Sequence, residues 1–185
     1  MNYAGLPTNV SVAFYTRPDF ETSLKSEALR KTYTAGFWIG LISRTRVHHV
    51  GLMLNRDNKT VILCTSENSR AKFIDEECFH EKGFVNPTHV ADLGSRNVSL
   101  SLLNQFIKTP YRGHRRDLLF YGLFSRFLFP SLLPKSCSLL TCEMLRMIGY
   151  NIKDYIFPRD LDKVLSSEYP IKTWEEYSQE YNLRS

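Results

Sequence analysis

Nucleophilic catalysis by a thiol needs a thiolate, an imidazole to take and return a proton, and N–H donors for the oxyanion. Cys137 is the residue of this chain that best meets the first need. It stands near the start of the run Ser136-Cys137-Ser138-Leu139-Leu140-Thr141-Cys142-Glu143-Met144-Leu145-Arg146-Met147-Ile148-Gly149. Ser136 is a good N-cap, leucines and methionines fill nearly every face, and Gly149 is a helix stop. The pattern predicts a buried helix from Ser136 to Ile148 with Cys137 in its first turn. Unpaired amides and the positive end of the macrodipole favour thiolate over thiol there. Cys142 is five residues on, roughly 140° round the helix, so the two thiols cannot serve one site.

An imidazole held on a strand against that helix start would complete the pair. His48 and His49 lie in Val47 to Leu54 (VHHVGLML), which reads as a strand. Strand alternation sends the two rings to opposite faces, so at most one of them faces Cys137.

The elements that must position these residues read as follows. Val10 to Thr16 is a short strand rich in β-branched and aromatic residues, and Glu21 to Tyr33 a surface helix with Leu24, Ala28 and Leu29 on one side. Thr34 to Ser43 is apolar with two glycines and fits either a strand or a buried loop. Val47 to Leu54, a turn at Asn55 to Asn58 and Thr60 to Thr65 form a hairpin with a polar tip. Arg70 to Asp75 alternates as a third strand, with a short fourth at Val90 to Leu93. Helices are expected over Ser99 to Lys108, Asp117 to Phe129 and Ser136 to Ile148, and the aromatic tail after Asn151 is expected to pack back on the body. The class is α+β: a small antiparallel sheet made early in the chain, with helices gathered in its second half. At 185 residues one compact domain is expected, with a core over about residues 10 to 160.

Composition narrows the function classes. Hydrophobic content of 43% and charged content of 23% belong to an ordinary globular protein and argue against disorder and coiled coil. The net charge of +5 is spread along the chain, and no nucleic-acid partner is expected. The one local concentration, Arg112-Gly113-His114-Arg115-Arg116, reads first as a solvated loop and second as a contact for phosphate, anionic lipid or cell-wall polyanion. Four cysteines (Cys64, Cys78, Cys137, Cys142) at irregular spacing make neither a disulfide framework nor a zinc site, so no metal and no cofactor are expected. The first thirty residues carry Arg17, Asp19, Glu21, Lys25 and Glu27 with no apolar h-region, so synthesis in a reducing compartment without a secretory signal is expected. Leu118 to Pro134 is about as long as the shortest membrane spans, but Arg126 and Pro130 interrupt it. A buried helix and turn is the preferred reading, with an amphipathic membrane-surface helix as the alternative.

At this point the chain resembles a family. His49-Val50-Gly51-Leu52-Met53-Leu54 is similar to the histidine strand of the NlpC-like cell-wall cysteine peptidases, which typically reads H-V-G-I-Y-L. Cys137-Ser138 with Gly149 resembles their nucleophile helix, C-S-G-L-V and then a glycine at that same offset. Phe157-Pro158-Arg159 resembles their L-P-R, and Thr109-Pro110-Tyr111 their P-Y. Histidine precedes cysteine here, which is the order of the circularly permuted members, including bacterial and viral NlpC-like proteins and the lecithin:retinol acyltransferase group. The chain departs from the peptidases at Ser136, where they usually carry aspartate, and at Leu139, where they usually carry glycine.

The resemblance implies a papain-like, permuted NlpC-type fold with Cys137 as nucleophile and His49 as general base and acid. His48 is then expected to face solvent or a loop, and His80, His89 and His114 to be solvated. The family's third residue falls at Cys64 to Ser66, with Cys64 in the matching place, although a thiol orients imidazole poorly. Tyr111, Ser138 and Arg112 would border the substrate, with packing in the core the preferred reading of the Tyr111 ring taken by itself. The activity implied is cleavage of an amide bond, with peptidoglycan stem peptides as substrate. The alternatives are a non-catalytic component of a virus particle or cell-envelope assembly, with other virion or envelope proteins as partners, and a lipid acyltransferase or thioesterase with Leu118 to Leu133 as its lipid-facing wall.

Overall fold

The computed structural model describes residues 5–25, 27, 30, 33, 34, 37, 46–57, 59–64, 72–75, 86–99, 101, 103 and 136–183. In chain order these form β1 (Leu6–Thr16), α1 (Phe20–Ser23), β2 (Val47–Arg56), β3 (Lys59–Cys64), β4 (Lys72–Asp75), β5 (His89–Val98), α2 (Cys137–Ile148), α3 (Pro158–Glu168), β6 (Ile171–Thr173) and α4 (Trp174–Glu180). The class is α+β, and the strands make one antiparallel sheet in the order β4-β3-β2-β1-β5-β6.

β1 lies inside the sheet, and its sequence suits burial on both faces. Val10, Val12 and Phe14 join one core cluster, while Ala13 and Tyr15 join another. The first cluster packs α2 and α3 onto the sheet through Leu140, Met144, Leu145, Leu161 and Leu165. Each such side chain contributes about 1.5–3 kcal/mol by leaving water. The second holds α4 against the other face through Trp174 and Tyr177.

The β2–β3 hairpin follows the expected pattern, with Asp57 at its tip in the left-handed region at φ 51°. Asp tolerates that conformation through local hydrogen bonding. Asn55 donates to the Thr60 hydroxyl at 2.8 Å across the hairpin, and Arg56 reaches the Thr8 hydroxyl at 2.6 Å and the Val98 carbonyl at 2.8 Å.

Two expectations need correction. The strand predicted at Val90 to Leu93 runs the full length of β5, because its partner β1 is itself longer, Leu6 pairing with Val98. The sheet is not completed early in the chain: β6, from the tail, pairs with His89 to Ala91 and closes the β5 edge. The tail does pack back, but as α3, β6 and α4. Lys172 on β6 anchors it, donating to Asp92 at 2.7 Å and to Glu180 at 2.6 Å.

The helix expected over Glu21 to Tyr33 begins as α1, capped by Asp19, whose carboxylate accepts from the Thr22 amide at 2.7 Å. Half of its remainder lies outside the described residues. So do Thr34 to Ser43 apart from Thr34 and Phe37, most of the helix expected from Ser99, the whole of Asp117 to Phe129, and the apolar run Leu118 to Pro134. Among the described residues no helix is long and apolar enough to cross a membrane.

Candidate active site

α2 is the element on which the site is built, and its ends behave as its sequence requires. Ser136 sits at φ −111°, ψ 162°, and its hydroxyl accepts from the Leu139 amide at 3.1 Å while donating to the Ile156 carbonyl at 2.8 Å. Its own carbonyl takes the Leu140 amide at 3.0 Å. Gly149 ends the helix at φ 99°, a left-handed position that a side chain would strain. Tyr150 then donates to the Leu93 carbonyl at 3.1 Å and ties that end to β5. Cys137 is thereby fixed in the first turn, half-buried, against the larger core cluster.

β2 brings the imidazole. Its alternation is interrupted where it matters: β1 pairs Tyr15 with His49 but Thr16 with Val47, so His48 is an extra residue in a bulge. Val47 consequently packs with the α2-side core, whereas His49 lies opposite Tyr15. β3 is registered with β2 only along Met53 to Arg56, so among the described residues the histidine half of β2 pairs with β1 alone. Cys137 lies against this half of β2, where the Val50 amide favours its thiolate.

The side chains of Cys137 and His49 are paired and act on each other's ionisation. Burial by itself would push the thiol up. The charge and hydrogen bond of His49, the Val50 amide and the Ser138 hydroxyl outweigh burial and hold Cys137 below the ordinary thiol range. Burial would likewise depress the imidazole, but the Cys137 charge and hydrogen bond carry His49 above its ordinary value. The two shifts have one cause, the interaction of the two groups with each other, and each favours the charged form of its group. Cys142, on another side of α2, is fully buried and its thiol is pushed up to about 11 by that burial. The two thiols of one helix thus have opposite character.

The other predicted residues divide three ways. Ser138 is buried in the first turn with its hydroxyl beside the Cys137 sulfur. Cys64 ends β3 opposite Lys72, and its side chain lies outside the described part of the molecule, as do Thr65 and Ser66. Tyr111, Arg112 and the rest of the basic loop, with Cys78, His80 and His114, also lie outside the described residues.

Two histidines differ from expectation. His48 does not face solvent: it is 7% exposed, and burial, together with the charges of His49 and Arg17, depresses it to about 3, so it is neutral. The bulge turns it inward. His89 does not sit in a solvated loop: it opens β5, stacks on Phe14 with ring centroids 5.1 Å apart, and meets Asp162 at 2.8 Å. Ser166 donates to the same carboxylate oxygen at 3.0 Å, so this cluster pins α3 to the sheet. Sequence reasoning also missed the Val50 amide and the Tyr15 ring, 5.4 Å from the His49 ring. Neither leaves a local signal, since both depend on strand pairing across a long connection. Among the described residues no cluster of His, Cys, Asp and Glu could hold a metal ion.

Comparison of the chain with family models, with curated proteins and with solved structures finds no match to any of them.

Proposed function

We propose that this protein is a thiol hydrolase that cleaves an amide bond through Cys137 and His49, on a papain-like fold in the permuted NlpC-type order. The observation that carries the reading is the pairing of a cysteine in the first turn of a helix with a strand histidine far away in the chain, with the thiol shifted down and the imidazole shifted up. A structural cysteine at a helix start has no need of that partner.

The chemistry follows from the groups in place. The Cys137 thiolate attacks the substrate carbonyl carbon, and the carbonyl π pair moves to oxygen. Ser136 already takes the Leu139 and Leu140 amides, so the oxyanion falls to the amides of Cys137 and Ser138 at the positive end of α2. As the C–N bond breaks, the His49 imidazolium gives its proton to the leaving amine, producing a thioester on Cys137. His49, now neutral, takes a proton from water. The resulting hydroxide adds to the thioester and expels the thiolate, releasing the acid. Burial strengthens each electrostatic step by thinning the water around it.

The substrate we propose is a peptidoglycan stem peptide, on the strength of the likeness of His49 to Leu54 and Cys137-Ser138 to the cell-wall peptidases. The test is incubation of the full chain with purified peptidoglycan fragments and, separately, with short-chain acyl thioesters, comparing wild type with Cys137→Ser. Cysteine-dependent appearance of new amino groups from the fragments supports the reading. Cysteine-dependent release from the thioesters alone would make the protein an acyl-transfer enzyme. No cysteine-dependent product from either, with the thiol verified as reduced, would leave a non-catalytic assembly protein.

A further inference from the structure

A general base must be held in one orientation, and thiol hydrolases usually assign that task to a polar third group. Besides Cys137, His49 has an aromatic neighbour across the strand pair. Tyr15 is its direct cross-strand partner on β1, and the two rings lie 5.4 Å apart, tilted by 46°. The tyrosine is itself immobilised, 5% exposed and packed in the cluster that contains Met53, Ile62, Trp174 and Tyr177.

Gly51, two residues along β2, also lies beside the Tyr15 ring. A Cβ there would lie 3.8 Å from Tyr15 Cε2, 3.7 Å from Ile62 Cγ2 and only 3.2 Å from the Leu63 carbonyl oxygen. The Leu63 carbonyl is the tight contact, and the Tyr15 ring lies at ordinary van der Waals distance over β2 beside the histidine. The bulge at His48 completes the arrangement, since it sets Tyr15 opposite His49 while Val47 stays in the other core.

We infer that Tyr15 is a positioning residue for His49, an aromatic wall that fixes the imidazole toward Cys137 and favours its protonated form. An aromatic face attracts a cation that would otherwise need water, and a cross-strand aromatic pair restricts the ring it touches. Among the described residues the titratable groups facing His49 are Cys137 from α2, Tyr15 from β1 and His48 on β2 itself, whose ring centroid is 6.5 Å away. His48 is neutral down to about pH 3 and so contributes no step of its own near neutrality. This inference rests on the proposed role of His49 and concerns how that residue is held.

The experiment is the rate of Cys137 alkylation by iodoacetamide against pH, read by peptide mass spectrometry on the full chain. It compares wild type, Tyr15→Phe, Tyr15→Leu, Tyr15→Met and His49→Ala, with circular dichroism to verify folding. Tyr15→Phe keeps the ring and should retain the wild-type profile. Tyr15→Leu and Tyr15→Met should move the thiolate midpoint upward by about half a pH unit or more, a roughly threefold loss of rate below it. Methionine keeps most of the volume, so a folded variant is available if leucine collapses the cluster. A purely structural tyrosine would change stability and leave the midpoint alone. If His49→Ala shifts the profile while both ring-less variants overlay wild type, the inference about Tyr15 is overturned and the Cys137–His49 pair stands. If His49→Ala itself changes nothing, the pair fails and the proposed function fails with it.

Discussion

Cys137 and Cys142 lie on the same helix, yet their thiols are displaced in opposite directions, one held down by His49 and one raised to about 11. Iodoacetamide at pH 7 should therefore label Cys137 well before Cys142, because rate follows thiolate fraction and access. Replacing His49 by alanine removes the group that offsets burial, so the Cys137 pKa should rise and labelling at pH 7 should slow several-fold. His48 predicts a separate effect. Its folded-state value of about 3 is below its unfolded value of 6.5, so between those limits the unfolded chain binds the extra proton. Stability from this group is full above about pH 6.5 and is lost as pH falls toward 3, at about 1.4 kcal/mol per unit at most. Urea unfolding at pH 7 and pH 4.5 should show the fall, and His48→Phe should flatten it.

At the scale of elements, α2 was legible in the sequence because everything that defines it is local: the Ser136 cap, the apolar faces and the Gly149 stop are read within one run. The β2–β3 hairpin was legible for the same reason. The bulge at His48, the extension of β5 and the inward turn of His89 were not, because each is decided by a strand or helix distant in the chain. The helix ends give a direct test. Ser136→Ala should cost about 1 kcal/mol for the lost cap, and somewhat more because the bond to the Ile156 carbonyl goes with it. Gly149→Ala, forced to φ 99°, should cost about 1–2 kcal/mol. Both are measured by urea unfolding, and the two should add because the positions lie at opposite ends of the helix.

At the scale of the molecule, the candidate site lies where β2 meets α2, and Tyr15 connects it to the cluster beneath α4. The sequence indicated an α+β class and a tail that packs back, and it brought Cys137 and His49 forward as partners through a likeness to permuted peptidases. It could not show that β6 and α4 seal a sheet edge and a sheet face. Tail residues carry aromatic character but no register, and the pairing of Lys172 with Asp92 spans 80 positions of the chain. Trp174, 3% exposed under α4, should be among the costliest tail residues to truncate. Trp174→Ala is expected to lose about 3–5 kcal/mol in urea unfolding. It should also loosen the packing of Tyr15, so Cys137 alkylation should slow beyond what the fraction of unfolded protein explains.

The central claim is that Cys137 is a nucleophile whose proton partner is His49. Its most direct test is intact-protein mass spectrometry during turnover of a peptidoglycan stem peptide. The account predicts a transient mass increase equal to the acyl portion, mapped to Cys137, with release of the amine fragment. The increase should be absent in Cys137→Ser, and its formation should be strongly slowed in His49→Ala. Amine release that continues undiminished in Cys137→Ser would contradict it.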